Sequence, residues 1–190
     1  MARPKNNFNT KPAFERIEDA FWSLLAEKSY DKITISELSK RAEVNHNLIY
    51  YYFDNIDDMA VQLFDRNMSN GVPQRILSIL LGDGNIELEL LGDGAIMKRV
   101  MRTRLFMRSD NAFLNGIVKN RIRTEWLAAV GVTEERLTQE NKVDLDFIFS
   151  GVVAIMGSEQ CEENQHAITS LYKRALGKGI IDTLKKLQIG

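Results

Sequence analysis

The stretch "TISELSKRAEVNHNLIYYYFDNIDDM", Thr34–Met59, contains the start signals of three short helices. Thr34 and Glu37 have the spacing of a capping box, in which each side chain accepts a hydrogen bond from the backbone N–H of the other residue. Asn45 and Asn55 are residues of the type that caps the start of a helix. The spacing therefore predicts three helices, which begin directly after Thr34, Asn45 and Asn55.

The middle helix carries an unusual run of aromatic residues, "NHNLIYYYF", Asn45–Phe53. Aromatic runs favour strands, but the caps on both sides favour a helix. Because neighbouring helical residues point about 100° apart, three consecutive tyrosines cannot all face one core. Ile49 and Phe53 are four residues apart and are predicted to face inward. The opposite side is predicted to expose His46, Asn47, Tyr50 and Tyr51, with Tyr52 at its border. Such a helix, after another short helix and a tight turn, is typical of a helix-turn-helix.

The rest of the chain also has helical periodicity. Apolar residues recur at steps of three and four over residues 14–25 and again over residues 168–187, which is the spacing of amphipathic helices. The three prolines lie outside the strongly periodic segments, and no segment shows sustained apolar/polar alternation. These patterns predict an all-α protein of about nine helices.

Composition narrows the class of protein further. The 190 residues carry a formal net charge of −1, so a nucleic-acid contact has to come from local charge. No apolar run approaches the roughly 18 residues that a membrane span requires, and the basic N-terminus lacks the apolar centre of a secretion signal. A single cysteine, Cys161, excludes an intramolecular disulfide and suggests a reducing compartment. We therefore expect a cytoplasmic protein without a membrane partner.

The stretch Thr34–Met59 resembles the DNA-binding signature of the tetracycline-repressor (TetR) family. The matching residues are Thr34, Ile35, Leu38, Ala42, Val44, Ile49, Tyr50, Tyr52, Phe53, Asn55 and Asp57. The resemblance implies a transcriptional regulator, and specifically a ligand-responsive repressor that binds a palindromic operator in double-stranded DNA as a homodimer. It also implies two domains: an N-terminal arm and three-helix DNA-binding domain over residues 1–54, and a ligand-binding and dimerisation domain over residues 55–190.

The resemblance also suggests roles for individual residues. Base contacts are expected from His46, Asn47 and Tyr50, and contacts to the DNA backbone from Thr34, Asn45, Tyr51, Tyr52 and Lys5. Tyrosine rings suit thymine methyl groups and sugars, while their hydroxyls suit phosphates. Lys5 lies in a basic arm that is expected to follow the phosphates or enter the minor groove. The alternative for this arm is an ordinary solvated terminus.

Several positions depart from the family pattern. Glu43 stands where the turn usually has glycine; if this position needs a positive φ, glutamate costs on the order of 1 kcal/mol. Ser39 replaces an alanine, a change that helix packing should absorb. Ile56 replaces a lysine that touches a phosphate in the family, so one phosphate contact is expected to be lost. The first 60 residues contain eight basic and ten acidic side chains. An alternative function is therefore a TetR-fold ligand-binding activator or co-activator with weakened DNA binding.

The region after the signature is rich in methionine and aromatic residues, which suit a pocket for a flexible apolar effector. The expected ligand contacts are Met101, Leu105, Phe113, Arg121, Trp126 and Phe147. An ordinary core is the alternative for these residues. The apolar segment Asp144–Cys161 contains small residues, and together with Ile168–Leu187 it resembles the two helices through which the family dimerises. Packing within one chain is the alternative for this segment.

Enzymatic function has little support in the sequence. The chain has two histidines and one cysteine, and it contains no metal-ligand cluster, nucleophile elbow or phosphate-binding glycine loop. We therefore expect no catalytic residues, no metal and no cofactor. An enzyme with a helical pocket remains a further alternative.

Overall fold

A computed structural model describes residues 11–69 and 94–159, together with the helical residues Lys178, Gly179, Asp182, Thr183 and Lys186. The α-helices of the two long segments are α1 (Ala13–Glu27), α2 (Ile35–Ala42), α3 (His46–Tyr52), α4 (Ile56–Met68), α5 (Gly94–Arg108), α6 (Ala112–Ala129) and α7 (Gln139–Gly157). Short 3-10 turns follow α1 at Tyr30–Lys32 and α6 at Glu134–Arg136. This part of the chain contains no strand.

The all-α prediction is confirmed. The described segments contain seven α-helices, against about nine predicted for the whole chain. The helix predicted over residues 168–187 lies mostly outside the described residues. The structure divides into two compact units, and the division falls between Leu63 and Phe64, inside α4. The predicted domain boundary between residues 54 and 55 stays a prediction.

The first unit is built on one face of α1. This helix packs against α2, and α2 packs against α3. The largest fully buried side chains of the unit are Ile17, Phe21, Leu38, Ile49, Phe53, Met59 and Leu63. Each of these large apolar side chains contributes roughly 1.5–3 kcal/mol of stability by leaving water. The core therefore holds the short helices α2 and α3, which are too short to be stable alone.

The second unit contains α5, α6 and α7, and each of these helices packs against the other two. Phe64, the first residue of this unit, stacks at a tilt on Phe106 with 4.7 Å between ring centroids. Trp126 and Phe149 meet edge to face at 5.4 Å. The aromatic side chains that fill the centre thus come from α4, α5, α6 and α7.

The end of α4 is fixed to α5 by hydrogen bonds. The buried Asn67 amide donates to the Arg99 carbonyl at 3.0 Å and to the Thr103 hydroxyl at 3.1 Å. In return, the Arg99 guanidinium donates to the Asn67 carbonyl at 2.6 Å and to the Ser69 carbonyl at 3.2 Å. The last carbonyls of a helix lack partners within the helix, and Arg99 supplies donors to them here.

The end of α7 approaches the end of α5 at Gly157. A Cβ atom added at Gly157 would lie 2.5 Å from the backbone oxygen of Met107. Arg104 reinforces this approach by donating from Nε to the Met156 carbonyl at 3.0 Å. Since the obstacle is backbone rather than a flexible side chain, any residue with a Cβ must push the two helices apart.

We expect Gly157→Ala to destabilise the protein by about 1–3 kcal/mol, because an added methyl group overpacks the contact between α5 and α7. The matched control is Gly151→Ala in α7, where an added Cβ meets nothing within 4 Å. Alanine is favoured over glycine inside a helix by about 1 kcal/mol, so the control is expected to be neutral or stabilising. Urea unfolding measures both variants, and equal stabilities would contradict the assignment.

Candidate nucleic-acid interface

The start of α2 is fixed by the predicted capping box. Thr34 Oγ1 accepts a hydrogen bond from the Glu37 backbone N–H at 3.3 Å, and the Glu37 carboxylate accepts from the Thr34 N–H at 3.3 Å. The Lys28 ammonium binds the same carboxylate. Lys28, and after it the Thr34 hydroxyl, lower the pKa of the Glu37 carboxyl. Glu37 therefore stays ionised near neutral pH and remains an acceptor for the cap.

The turn between α2 and α3 depends on an unusual backbone conformation at Glu43. Its φ of 53° and ψ of 46° lie in the left-handed region, which non-glycine residues adopt at a cost. The sequence prediction of a strained residue here is confirmed. The Val44 N–H donates to the Ser39 carbonyl at 3.0 Å, and the Ser39 hydroxyl donates back to the Val44 carbonyl. Ser39, expected only to be tolerated, thus closes the turn.

Arg16 of α1 holds the same turn from the other side. Its Nη1 donates to the Ala42 carbonyl at 2.8 Å and to the Glu43 carbonyl at 3.0 Å. These are the carbonyls at the end of α2, which lack partners within the helix. Sequence reasoning missed this role, because Arg16 lies 26 residues before Ala42 and no local pattern signals such a contact.

The helix α3 presents one face to the core and the other to solvent. Asn45 caps its start by accepting from the Leu48 N–H at 2.8 Å. Ile49 within α3 and Phe53 directly after α3 are buried, as predicted. Phe14 of α1 packs against Phe53 with 5.6 Å between ring centroids. The helix is thereby fixed in rotation about its own axis, which decides which side chains point outward.

The outward face of α3 carries the side chains expected to contact DNA. His46, Asn47, Tyr50 and Tyr51 are all exposed, with Tyr50 at 55% and Tyr51 at 77% of their maximum area. Tyr52 is half-buried and meets the Tyr51 ring edge to face at 5.0 Å. Hydroxyl, amide and imidazole groups on an exposed two-turn helix can donate to and accept from base edges and phosphates.

The first turn of α4 is fixed by a separate set of hydrogen bonds. Asn55 caps the helix by accepting from the Asp58 N–H at 2.8 Å, and the Asp58 carboxylate accepts from the Asp54 N–H at 2.9 Å. The buried Tyr30 hydroxyl donates to Asp57 Oδ1 at 2.5 Å. Burial, and then the hydrogen bond to Asp57, raise the pKa of the Tyr30 phenol well above its ordinary value. Tyr30 therefore stays a donor at any physiological pH.

The charged side chains beside α2 are largely paired with one another. The Arg41 guanidinium forms a bidentate ion pair with the Glu27 carboxylate, with 2.8 Å between Nη2 and Oε2. The Arg41 guanidinium lowers the pKa of Glu27. Lys28 is paired with Glu37. Two of the cations counted in the sequence are therefore partly neutralised within the unit, whereas Lys40 of α2 is exposed.

The remaining predicted residues take different positions. Thr34 and Asn45 are exposed at the starts of α2 and α3. Lys5 lies outside the described residues. Ile56 is the first residue of α4 and is half-buried. The contacts of all these residues with DNA stay predictions.

The residues predicted to contact an effector differ in how far they are exposed. Trp126 is buried, and Leu105 is half-buried. Met101, Phe113 and Phe147 are exposed, and Phe147 keeps 72% of its maximum area. Arg121 is half-buried and is held by Asp65 at 3.0 Å and Glu125 at 2.7 Å. The ligand role of these six residues stays a prediction.

Within the part of the chain that the structure describes, no three His, Cys, Asp or Glu side chains are grouped so that they could hold a metal ion. None of the helices in this part is both long and apolar enough to cross a membrane.

Two short helices joined by a tight turn, with polar and aromatic side chains exposed on the second, define a helix-turn-helix DNA-binding unit. Residues 17–63 match the family model described as "Bacterial regulatory proteins, tetR family". This segment of the chain is therefore similar to the N-terminal region of that family, and the resemblance noted in the sequence is confirmed over these residues.

The chain is also similar to individual proteins. The "Fatty acid metabolism regulator protein" of Bacillus subtilis (strain 168) is 34% identical over 58 residues, which span 30% of this chain and 30% of the relative's length. The chain of a solved structure, "transcriptional regulator FadR from Bacillus subtilis in complex with stearoyl-CoA", is 21% identical with a TM-score of 0.48. That alignment covers 92% of this chain and 97% of the other.

The hydrogen bond from Tyr30 to Asp57 generates a prediction for DNA binding. We expect Tyr30→Phe and Asp57→Ala each to weaken binding by about 1 kcal/mol, because each removes a hydrogen bond that positions the start of α4. The double variant should bind like either single variant, since the two residues act through one contact. Asp57→Asn keeps an acceptor and should bind at least as well as the wild type.

Fluorescence anisotropy with a fragment from upstream of the protein's own gene measures these affinities. Asp54→Ala is the matched control, because it removes an exposed negative charge one turn away without removing the contact to Tyr30. We expect it to leave binding unchanged or tighter. Additive losses in the double variant, or an Asp57→Asn variant as weak as Asp57→Ala, would show that the contact does not position α4.

Proposed function

We propose that the protein is a ligand-responsive transcriptional repressor that binds a palindromic operator as a homodimer in the cytoplasm. The observation that carries this proposal is the exposed face of α3, where His46, Asn47 and Tyr50 stand on a helix fixed by its cap and by its packing on α1. We assign base contacts to these three residues, because their polar groups match the donors and acceptors of the major groove.

Contacts to the DNA backbone are assigned to the residues around α3. Thr34 and Asn45 stand exposed at the two helix starts, where backbone N–H groups and the helix dipole favour a phosphate. Tyr51 and Tyr52 offer hydroxyls from the exposed and half-buried sides of α3. Lys5 is assigned to the same role from the basic arm. Together these contacts would set the register of α3 on the duplex.

The homodimer is supported by an apolar surface on α7. Val143 and Phe147 are one helical turn apart and keep 67% and 72% of their maximum areas. Large apolar side chains that are exposed next to each other often mark a protein interface. A two-fold dimer would place two copies of α3 roughly 34–36 Å apart, which is one turn of DNA and matches two half-sites. Analytical ultracentrifugation of the wild type and Phe147→Asp tests this surface.

The response to a ligand is proposed to pass through α4. This helix contributes Ile56 to Leu63 to the first unit and Phe64 to Met68 to the second. A ligand that prefers one position of α4 would change the spacing of the two recognition helices. A coupling free energy of about 1–3 kcal/mol between ligand and operator is enough for a useful switch.

A second candidate function is a ligand-binding activator or co-activator with weakened DNA binding. Two observations favour it: Ile56 offers no charge at the start of α4, and Lys28 and Arg41 are paired with acids. A gel shift with the region upstream of the gene separates the candidates. Specific retardation at physiological salt supports the repressor, and its absence supports the second candidate.

We expect His46→Ala and Tyr50→Ala each to weaken operator binding by roughly 1–3 kcal/mol, the cost of losing a specific base contact. Thermal stability should change little, because both side chains are exposed. Thr124→Ala, which truncates an exposed side chain on α6, is the matched control and should bind like the wild type. If both α3 variants also bind like the wild type, α3 does not read the operator.

Ile56→Lys is expected to tighten DNA binding and to steepen the dependence of log K on log salt concentration by about one unit, because one more phosphate is neutralised. Val61→Lys adds the same charge to an exposed position of α4 farther from its start, and this control should leave the slope unchanged. Affinities measured at several salt concentrations give both slopes. Equal slopes for Ile56→Lys and the wild type would mean that the start of α4 does not approach the backbone.

A further inference from the structure

A cavity of about 510 Å³ lies in the second unit where α5, α6 and α7 come together. It is lined by the end of α5 from Met107, by the first half of α6 from Ala112 to Lys119, and by the last part of α7 from Ser150. The volume is within the range of roughly 300–1,000 Å³ that is typical of small-molecule sites. None of the six residues predicted from the sequence to contact an effector lines it.

The floor of the cavity is apolar and has room for a ligand. Met107 and Val153 are buried, and small residues, Gly116 and Ala154, form the neighbouring wall. A Cβ atom added at Gly116 meets nothing within 4 Å. The absence of a side chain at this position therefore leaves open space beside α6, which an apolar group can fill without moving the backbone.

One wall of the cavity carries a cation with spare hydrogen-bonding capacity. Lys119 Nζ lies 3.7 Å from Asp146 Oδ1, which is beyond the distance of a hydrogen bond. Arg123 occupies the same Asp146 oxygen at 3.0 Å, so Asp146 keeps a partner if Lys119 turns away. Arg108 and Asp110, which are opposite in charge, stand at the rim. Arg108 and Lys119 are basic and Asp110 is acidic, so the described lining of the cavity carries one more positive than negative side chain.

Polar groups complete the site. The Ser150 hydroxyl lines the cavity on α7, where it can donate to an anion. In the amide orientation that gives both of its polar atoms a partner, Asn115 donates to the carbonyls of Phe106 at 3.0 Å and Met107 at 3.1 Å. This fixes the wall next to Gly116. An apolar floor with a cation and a hydroxyl at its edge suits a ligand that has an apolar body and one anionic group.

We propose that this cavity is a binding site for an amphipathic monoanion, a compound with a compact apolar body and one carboxylate or sulfonate group. The anionic group binds Lys119 and Ser150, and the apolar body lies over Val153 and fills the space beside Gly116. That the site regulates DNA binding rests on the proposed function; that it binds such a compound does not.

The test uses 8-anilinonaphthalene-1-sulfonate, which has fused apolar rings and one sulfonate, titrated into the full-length protein by calorimetry. We expect saturable binding of one probe per chain. Gly116→Leu should weaken it at least tenfold by filling the cavity, and Lys119→Gln should weaken it severalfold and reduce its salt dependence. The matched controls are Ala128→Leu on an exposed position of α6 and Lys98→Gln on α5, which lie outside the cavity lining.

The outcomes separate the site from the regulatory function. The proposed site would be wrong if the wild type showed no saturable binding of the probe. It would also be wrong if the Gly116→Leu and Ala128→Leu variants bound the probe equally well. Thermal unfolding identifies a variant that fails to fold, in which case Gly116→Val replaces Gly116→Leu. Operator affinity is measured separately without probe. If the cavity variants behave as expected but the protein does not bind the operator, the repressor function is refuted and the binding site is not. If both hold and the probe changes operator affinity, the operator must change probe affinity by the same factor.

Discussion

The left-handed backbone at Glu43 sets the direction in which the chain leaves α2, and the position of every exposed group on α3 follows from it. A glutamate in this conformation costs on the order of 1 kcal/mol relative to glycine. The cost is offset locally, because the Arg16 guanidinium binds the two carbonyls on either side of the bend and Ser39 closes it through Val44. Side chains from α1 and α2 therefore hold the turn, and the turn fixes the direction of α3.

The parts of this structure that sequence could predict are those that depend on neighbours a few residues apart. The caps at Thr34, Asn45 and Asn55 each join residues three positions apart, and helical spacing alone placed Ile49 inward. The contacts of Arg16 with the turn and of Tyr30 with Asp57 join residues 26 and 27 positions apart. Such contacts exist only after the chain has folded, so spacing carries no signal for them.

The second unit shows the limit of composition as a guide to a binding site. Methionine and aromatic content predicted apolar lining residues, yet Phe147 is largely exposed while Trp126 is buried. Composition reports how much apolar surface a segment has, but the direction of each side chain depends on how three helices pack against one another. The cavity beside Gly116 is lined mainly by small and polar residues, and the space there exists because these side chains are too small to fill it. Large apolar residues in the sequence therefore give no sign of a cavity of this kind.

The ion pairs of Arg41 with Glu27 and of Lys28 with Glu37 affect how the protein would find its target in a genome. Cations that are already bound to carboxylates release few counterions on meeting DNA, and counterion release supplies most of the affinity for random sequence. If the protein binds DNA as proposed, such a surface would shorten the time it spends on non-target DNA and lengthen the time it spends free in solution. Occupancy of the right site then depends on the ratio between specific and random binding, and weak random binding raises that ratio even when the absolute affinity is modest.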